Sequence, residues 1–220
     1  MRHVMLKLFL FCLTSLVYSQ TITIDTNVTM LALGDSYTIG ESVEIRERWP
    51  HQFVAELKKL GVSAEYPDYI ATTGWTTRNL IQGIGSQLDE DKQYNLVSIL
   101  IGVNNQYQGM DMAGYEPDLR EILDQALEIV DQNLSRVFML SIPDYAFTPF
   151  GKGNERITKE IDDYNAINQR IAAEYKIAYI DITPISRNGL DNPSLVAGDG
   201  LHPSADQYRQ WVQAILSKKK

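Results

Sequence analysis

The sequence predicts an α/β domain of three layers, in which a parallel five-stranded sheet lies between two layers of helices. Apolar runs typical of strands alternate with amphipathic helical segments, and this alternation favours a parallel sheet covered by helices on both faces. Residues 96–101 (LVSILI) form the continuous apolar run expected of a strand buried on both faces. The 220 residues contain no repeat or linker, so we expect one domain.

Five strands are predicted from apolar runs that end at turn-forming residues. They comprise residues 28–33, 64–71, 96–101, 137–142 and 177–182. The first breaks at Gly34-Asp35-Ser36, and Pro143 closes the fourth. Right-handed crossovers place the carboxyl ends of all five at one edge of the sheet. The predicted order is 2-1-3-4-5, which makes the first three strands lateral neighbours.

Five helices are predicted from apolar residues at helical spacing. They comprise residues 47–60, 78–84, 116–132, 155–175 and 205–217. Pro50 lies near the start of the first helix and Gly61 follows its end, while Pro117 lies near the start of the third. A pair of threonines before residue 78 can cap the second helix. Residues 145–154 and 184–200 are predicted to be irregular connections.

The N-terminal residues 1–19 predict a signal peptide, which leaves residues 20–220 as the domain. Two basic residues precede the apolar run 8–17, which is too short to span a bilayer, and a small residue stands before Gln20. The alternative, an uncleaved anchor, needs a longer apolar segment. The only cysteine, Cys12, lies in this segment, so the mature chain has no disulfide. We expect an exported protein, periplasmic or secreted.

The charge balance excludes two classes of partner. The chain has 28 acidic and 20 basic residues, and Arg2 and Lys7 lie in the predicted signal peptide, so the mature net charge is −10. An acidic protein repels phosphate backbones and anionic lipid, which argues against nucleic acid and membrane surfaces. A small-molecule substrate is the expected partner, with no integral membrane segment after cleavage of the signal peptide.

Ser36 follows the first predicted strand and is a candidate nucleophile. A strand that ends at glycine and delivers a serine at the head of a sheet is a common way of exposing a reactive hydroxyl. The same Gly-Asp-Ser sequence also occurs as a plain loop with a helix cap. The G-x-S-x-G elbow is absent, because position 38 is Thr. The role of Ser36 therefore depends on which groups share its edge of the sheet.

Three further signals fall on the same predicted edge. Gly74 follows the second strand and Asn104 the third, and ligands of such sheets bind where the strand order reverses. Asp199 stands three residues before His202, so its carboxylate can fold back onto the imidazole Nδ1–H and leave Nε2 as a base. An isolated Asp-x-x-His is also consistent with a histidine that caps the connection or lies in solvent. The shared edge favours a catalytic pair.

The motifs, taken in order, resemble those of the SGNH hydrolases, also called the GDSL esterases and lipases. They are Gly34-Asp35-Ser36, Gly74, Gly102-Val103-Asn104-Asn105 and Asp199-Gly200-Leu201-His202. The resemblance covers nearly the whole mature chain and implies a flavodoxin-like sheet. It also implies that Ser36 is the nucleophile and that His202 and Asp199 complete a catalytic triad.

The resemblance further implies an oxyanion hole. In the family, the backbone N–H groups of the residues matching Ser36 and Gly74 and the side-chain amide matching Asn104 hold the oxyanion. One position departs from the family pattern, because the third motif usually reads G-x-N-D and here ends in Asn105. The donor itself is retained, so the departure bears on how Asn104 is held.

These observations predict an exported serine esterase that hydrolyses short acyl or acetyl esters, with carbohydrate and lysophospholipid both open as the alcohol moiety. Five loop aromatics can line an acyl or sugar pocket or pack into the core: Trp75, Tyr107, Tyr145, Phe147 and Phe150. One alternative is a catalytically inactive binding protein of the same fold, for ligands or carbohydrate. Another is a flavodoxin-like nucleotide binder, although no Gly-rich phosphate loop is present.

No cofactor and no metal are predicted. The three histidines are widely separated: His3 lies in the predicted signal peptide, His51 in the first helix, and only His202 lies near carboxylates in the sequence. A zinc site built from several histidines cannot be assembled from this set.

Overall fold

The computed structural model describes residues 20–220, so the predicted signal peptide, residues 1–19, lies outside the described residues. The described chain has seven strands: β1 (Asn27–Val28), β2 (Met30–Gly34), β3 (Ser63–Ala64), β4 (Asp68–Ala71), β5 (Leu96–Leu100), β6 (Val137–Leu140) and β7 (Ala178–Ile180). Five of these form a parallel sheet in the order β4-β2-β5-β6-β7. The predicted fold class is confirmed.

The strand count and numbering need a correction. The predicted strand at residues 64–71 divides into β3 and β4, and Pro67, which has no N–H for a strand ladder, lies between them. The short strands β1 and β3 pair with each other in a separate two-stranded sheet. The predicted order 2-1-3-4-5 therefore does not describe all seven strands. When the five strands of the main sheet are numbered among themselves, however, they lie side by side in that order.

In the described part of the chain, residues 20–220, eight α-helices connect and cover the strands. They are α1 (Ser36–Ile39), α2 (Trp49–Lys59), α3 (Thr77–Gln87), α4 (Val103–Tyr107), α5 (Met112–Ile129), α6 (Glu155–Tyr175), α7 (Thr183–Ser186) and α8 (Ala205–Leu216). Helix α2 packs against α8, and α3 packs against α5. Because crossovers are right-handed, α2 and α3, which lead in opposite directions along the sheet, lie on opposite faces. Within residues 20–220, no helix is long and apolar enough to cross a membrane.

Several predicted segments differ from the structure: helix α3 ends three residues later than predicted, and the predicted loop at 145–154 begins with a 3₁₀ turn, Tyr145–Phe147. Helix α5 begins at Met112 and not at residue 116, because the Asp111 side chain accepts the Ala113 N–H and caps the helix four residues earlier. Pro117 therefore lies inside the helix, where it leaves the carbonyl four residues before it without a helical donor. The connection at 184–200 contains most of α7 and a 3₁₀ turn, Pro193–Leu195.

The core lies on both faces of the sheet and holds the strand ends in place. Every residue of β2 and β5 is buried. Gly34, at the end of β2, pairs with Ala71 on one side and Leu100 on the other. The loops that follow β2, β4 and β5 therefore start side by side at one edge of the sheet, as the sequence predicts.

Candidate active site

Ser36 is the first residue of α1, directly after the β2 strand. The Asp35 side chain caps this short helix by accepting the Tyr37 N–H at 3.0 Å. A Cβ on Gly34 would lie 2.1 Å from Thr38 Oγ1 and 2.4 Å from the Leu100 carbonyl, so only glycine fits at the end of the strand. The chain turns at once, and the Ser36 side chain faces the carboxyl edge of the sheet.

The structure brings Ser36, His202 and Asp199 together. His202 Nε2 lies 3.0 Å from Ser36 Oγ, and His202 Nδ1 lies 2.6 Å from Asp199 Oδ2. The other oxygen of Asp199 accepts the backbone N–H groups of Leu201, at 2.9 Å, and of His202, at 3.0 Å. These bonds tie the carboxylate to the loop that carries the imidazole. The carboxylate, the imidazole and the hydroxyl form one continuous hydrogen-bonded series.

Ser42, a residue not predicted from the sequence, also contacts the hydrogen-bonded series of Asp199, His202 and Ser36. Its hydroxyl donates to Asp199 Oδ2 at 2.7 Å. The backbone of Ser42 has φ +66°, a left-handed conformation that costs energy for a residue other than glycine. Burial by itself raises the pKa of Asp199, but hydrogen bonds from His202, Ser42 and the backbone outweigh it and lower the pKa below its usual range. Asp199 is therefore an anion at neutral pH.

Gly74 and Asn104 line the same cavity as Ser36 and His202. Gly74 has φ +82°, a conformation that favours glycine. The Asn104 amide nitrogen lies 3.1 Å from the Trp75 carbonyl and 3.4 Å from Asp35 Oδ2. All five residues singled out in the sequence thus lie at one site.

Asn105, the departure from the family pattern, connects α4 to the start of α3. Its side-chain oxygen accepts the Thr77 N–H at 3.0 Å, and its amide donates to Thr77 Oγ1 at 2.8 Å. The Thr77 hydroxyl in turn donates to the buried Asp118 carboxylate on α5 at 2.9 Å. This network fixes the residue next to Asn104 and so restrains the orientation of that amide.

A cavity of about 270 Å³ opens at Ser36 and is lined mostly by apolar groups. Its walls are Ser36, Tyr37, Thr73, Gly74, Val103, Asn104, Tyr107, Tyr145, Phe150, Leu201 and His202. Of the five aromatics considered in the sequence, three line the cavity. Trp75 instead packs over Gly83, and Phe147 packs against the core. Among residues 20–220, no three His, Cys, Asp or Glu side chains cluster as metal ligands would.

Asp35 gives the protein a pH-dependent stability. Burial raises its pKa to about 7, although hydrogen bonds from the Tyr37 N–H and the Asn104 amide oppose the shift. The folded state therefore retains a proton that the unfolded chain has lost, and the free energy of unfolding falls as pH rises from about 4 to about 7. A difference of roughly three pKa units corresponds to about 4 kcal/mol.

We expect Asp35→Asn, which cannot titrate, to lack this loss of stability. Urea unfolding at pH 4.5 and pH 8 should show that wild type loses about 3 kcal/mol more than the variant between the two values, because the window begins just above the pKa of the unfolded chain. The matched control is Asp191→Asn, the same change at an exposed carboxylate, which should follow wild type. Identical pH profiles for wild type and Asp35→Asn would contradict the assignment.

Comparison with known proteins gives one family and many structures of the same fold. The model of the GDSL-like lipase/acylhydrolase family matches residues 32–210. No curated protein matches the chain in sequence.

Solved structures similar to the chain include TesA, a lipase/acylhydrolase from Enterococcus faecalis and an acetylxylan esterase from Geobacillus stearothermophilus. TesA is 18% identical with a TM-score of 0.69, and the match covers 86% of this chain and 97% of TesA. The Enterococcus protein is also 18% identical with a TM-score of 0.69, covering 86% and 94%. The Geobacillus esterase is 19% identical with a TM-score of 0.67, covering 87% and 93%. At these identities the likeness establishes the fold. Because the family match spans most of the sequence, the chain belongs to the GDSL-like lipase/acylhydrolase family and is an ester hydrolase.

Proposed function

We propose that the protein is a serine esterase that cleaves carboxylic esters of short acyl groups through a Ser36–His202–Asp199 triad and an acyl-enzyme. The observation that carries the proposal is the hydrogen-bonded series from Asp199 Oδ2 through the His202 ring to Ser36 Oγ, at 2.6 Å and 3.0 Å. These are the distances at which a base can take a proton from a nucleophile and be oriented by a carboxylate.

In the acylation step, Ser36 Oγ attacks the ester carbonyl carbon while His202 Nε2 takes the hydroxyl proton. Asp199 accepts a hydrogen bond from His202 Nδ1–H and stabilises the imidazolium, because the carboxylate is an anion at neutral pH. When the tetrahedral intermediate collapses, the bond to the alcohol oxygen breaks and the imidazolium proton passes to that oxygen. The alcohol leaves, and the acyl group remains on Ser36.

In the deacylation step, water takes the place of the alcohol. His202 Nε2 removes a proton from the water as its oxygen attacks the acyl carbon, and the same proton returns to Ser36 Oγ when the acid leaves. The enzyme regains its starting protonation state.

The oxyanion formed in both steps needs preorganised donors. The backbone N–H groups of Ser36 and Gly74 have no acceptor among residues 20–220, and both residues line the cavity together with Asn104. Two unpaired backbone donors and a side-chain amide that line one cavity can stabilise a tetrahedral oxyanion, the Asn104 amide by giving up its 3.4 Å contact with Asp35 Oδ2. We assign the oxyanion hole to Ser36, Gly74 and Asn104.

The volume of the cavity, about 270 Å³, favours a short acyl group. The similarity to an acetylxylan esterase is consistent with an acetyl group as the substrate's acyl part.

We also propose that residues 1–19 are a signal peptide, so that the domain at 20–220 acts after export, in the periplasm or outside the cell.

A fluorophosphonate probe tests the proposal, because it reacts with an activated serine and not with ordinary serines. We expect stoichiometric labelling of the wild type, with the mass increase on the peptide that contains Ser36. Ser36→Ala should abolish labelling, whereas Ser86→Ala, a change at an exposed serine on α3, should label like wild type. Labelling that persists in Ser36→Ala would refute the triad. A folded wild type that does not react would favour an inactive binding protein.

A further inference from the structure

Three aromatic rings separate the cavity at Ser36 from a second cavity of the same volume, about 270 Å³. Tyr107, Tyr145 and Phe150 line both cavities, and their ring centroids lie 6.1 to 6.2 Å apart. Tyr107 is 58% exposed and Phe150 is 50% exposed, so the top of this aromatic wall faces solvent. A substrate with an alcohol larger than a few atoms can extend from Ser36 across the two exposed rings into the second cavity.

The far side of the second cavity is polar. It is completed by Gln106, Gly109, Arg156, Ile157 and Glu160. The Gln106 side chain accepts the Tyr145 hydroxyl at 2.7 Å and donates to Glu160 Oε2 at 2.6 Å. This chain of bonds fixes the Glu160 carboxylate relative to the aromatic wall.

One carboxylate oxygen and one guanidinium remain available to a ligand. Glu160 Oε1 lies 3.9 Å from Arg156 Nε, beyond hydrogen-bonding distance, and has no other donor among residues 20–220. The Arg156 side chain is 77% exposed. The second cavity therefore offers a fixed acceptor and an exposed donor beside aromatic faces.

Resting on the proposed esterase function, we propose that the second cavity binds the sugar part of an acylated carbohydrate. A sugar ring presents an apolar C–H face, which suits the Tyr107 and Phe150 rings, and hydroxyls at its edge. Those hydroxyls can donate to Glu160 and accept from Arg156, and hydrogen bonds to charged groups are the stronger ones. The ester at Ser36 and the sugar beyond the wall would then be parts of one substrate.

The same groups disfavour an alkyl chain or a phosphate head group in the second cavity. An alkyl chain in the second cavity would remove Glu160 and Arg156 from water without replacing their hydrogen bonds. A phosphate head group would meet the Glu160 carboxylate beside the single arginine, within a chain of net negative charge.

The test compares kcat/KM for a monoacetylated xylooligosaccharide with kcat/KM for ethyl acetate, whose alcohol is too short to cross the wall. We expect Glu160→Gln and Tyr107→Ala to lower the ratio of the two constants about ten- to a hundredfold, mainly through KM for the sugar ester. The matched controls are Glu121→Gln and Tyr66→Ala, the same changes at exposed positions outside both cavities, and they should keep the wild-type ratio. An unchanged ratio in both test variants would overturn the proposal.

A binding measurement separates this proposal from the esterase proposal. Calorimetric titration of Ser36→Ala with the deacetylated oligosaccharide should give a Kd that Glu160→Gln, added to Ser36→Ala, raises at least tenfold. If wild type hydrolyses neither ester, the esterase proposal fails, and the titration still decides whether the second cavity binds sugar. No binding to the Ser36→Ala protein, or equal Kd values with and without Glu160→Gln, would refute the sugar site.

Discussion

Ser36→Ala is expected to lower kcat for p-nitrophenyl acetate on the order of a millionfold, because the variant lacks the hydroxyl that forms the acyl-enzyme. Among residues 20–220, Ser36 Oγ is the only hydroxyl within hydrogen-bonding distance of His202 Nε2, at 3.0 Å. Asn104→Ala should cost far less, on the order of a hundred- to a thousandfold, because two backbone donors of the assigned oxyanion hole remain. Steady-state hydrolysis measured spectrophotometrically checks both values.

The contrast between the two variants is itself informative. Both variants should stay folded at the assay temperature, Asn104→Ala with a lower unfolding temperature because it loses the contacts with the Trp75 carbonyl and Asp35 Oδ2, and Ser86→Ala should retain wild-type kcat. If Ser36→Ala kept more than about a hundredth of the wild-type kcat, the nucleophile would lie elsewhere. If Asn104→Ala were as impaired as Ser36→Ala while remaining folded at the assay temperature, Asn104 would do more than bind the oxyanion.

Asp199→Asn is expected to lower kcat about ten thousandfold, the loss seen when a triad carboxylate becomes an amide. The side-chain oxygen of an asparagine would keep the bonds from the Leu201 and His202 backbone N–H groups. Its NH₂ group would then face His202 Nδ1, where Asp199 Oδ2 now lies at 2.6 Å. A donor at that place favours the tautomer with the proton on Nε2, which can no longer accept the Ser36 proton.

Fluorophosphonate labelling gives a second readout for this variant. Asp199→Asn should react with the probe much more slowly than wild type and still modify Ser36, since the nucleophile is present. Asp191→Asn serves as the control for the change of charge. A loss in kcat of less than about tenfold would show that Asp199 is dispensable for orienting His202.

The main sheet could be predicted from the sequence because its strands are buried on both faces. Such strands require continuous apolar runs, and residues 96–101 contain one. Strands of two residues, such as β1 and β3, are too short to have any hydrophobic periodicity, so the sequence does not separate them from β2 and β4. Helix α5 begins at Met112 because Asp111 caps it. In the sequence, Pro117 is the stronger signal for a helix start, so the start was predicted next to it.

The candidate site was predictable where topology or short spacing brings groups together. Ser36 and Asn104 follow neighbouring strands, and Asp199 is three residues from His202, so their proximity follows from the fold class. The hydrogen bond from Ser42 to Asp199 joins residues that are 157 positions apart and depends on the left-handed backbone of Ser42. No local sequence pattern predicts such a contact. Whether an aromatic lines the cavity or packs into the core likewise depends on side-chain packing that the sequence does not reveal.

The hydrogen bonds that connect Asn105 through Thr77 to Asp118 bear on how the position of Asn104 depends on pH. A carboxylate at position 105 would oppose Asp118 across one hydroxyl, which has a single proton and can donate to one neighbour only. The backbone N–H of Thr77 would then be the one remaining donor to position 105. An amide carries hydrogens of its own and does not ionise, so the hydrogen bonds that hold the residue next to Asn104 require no proton shared with Asp118.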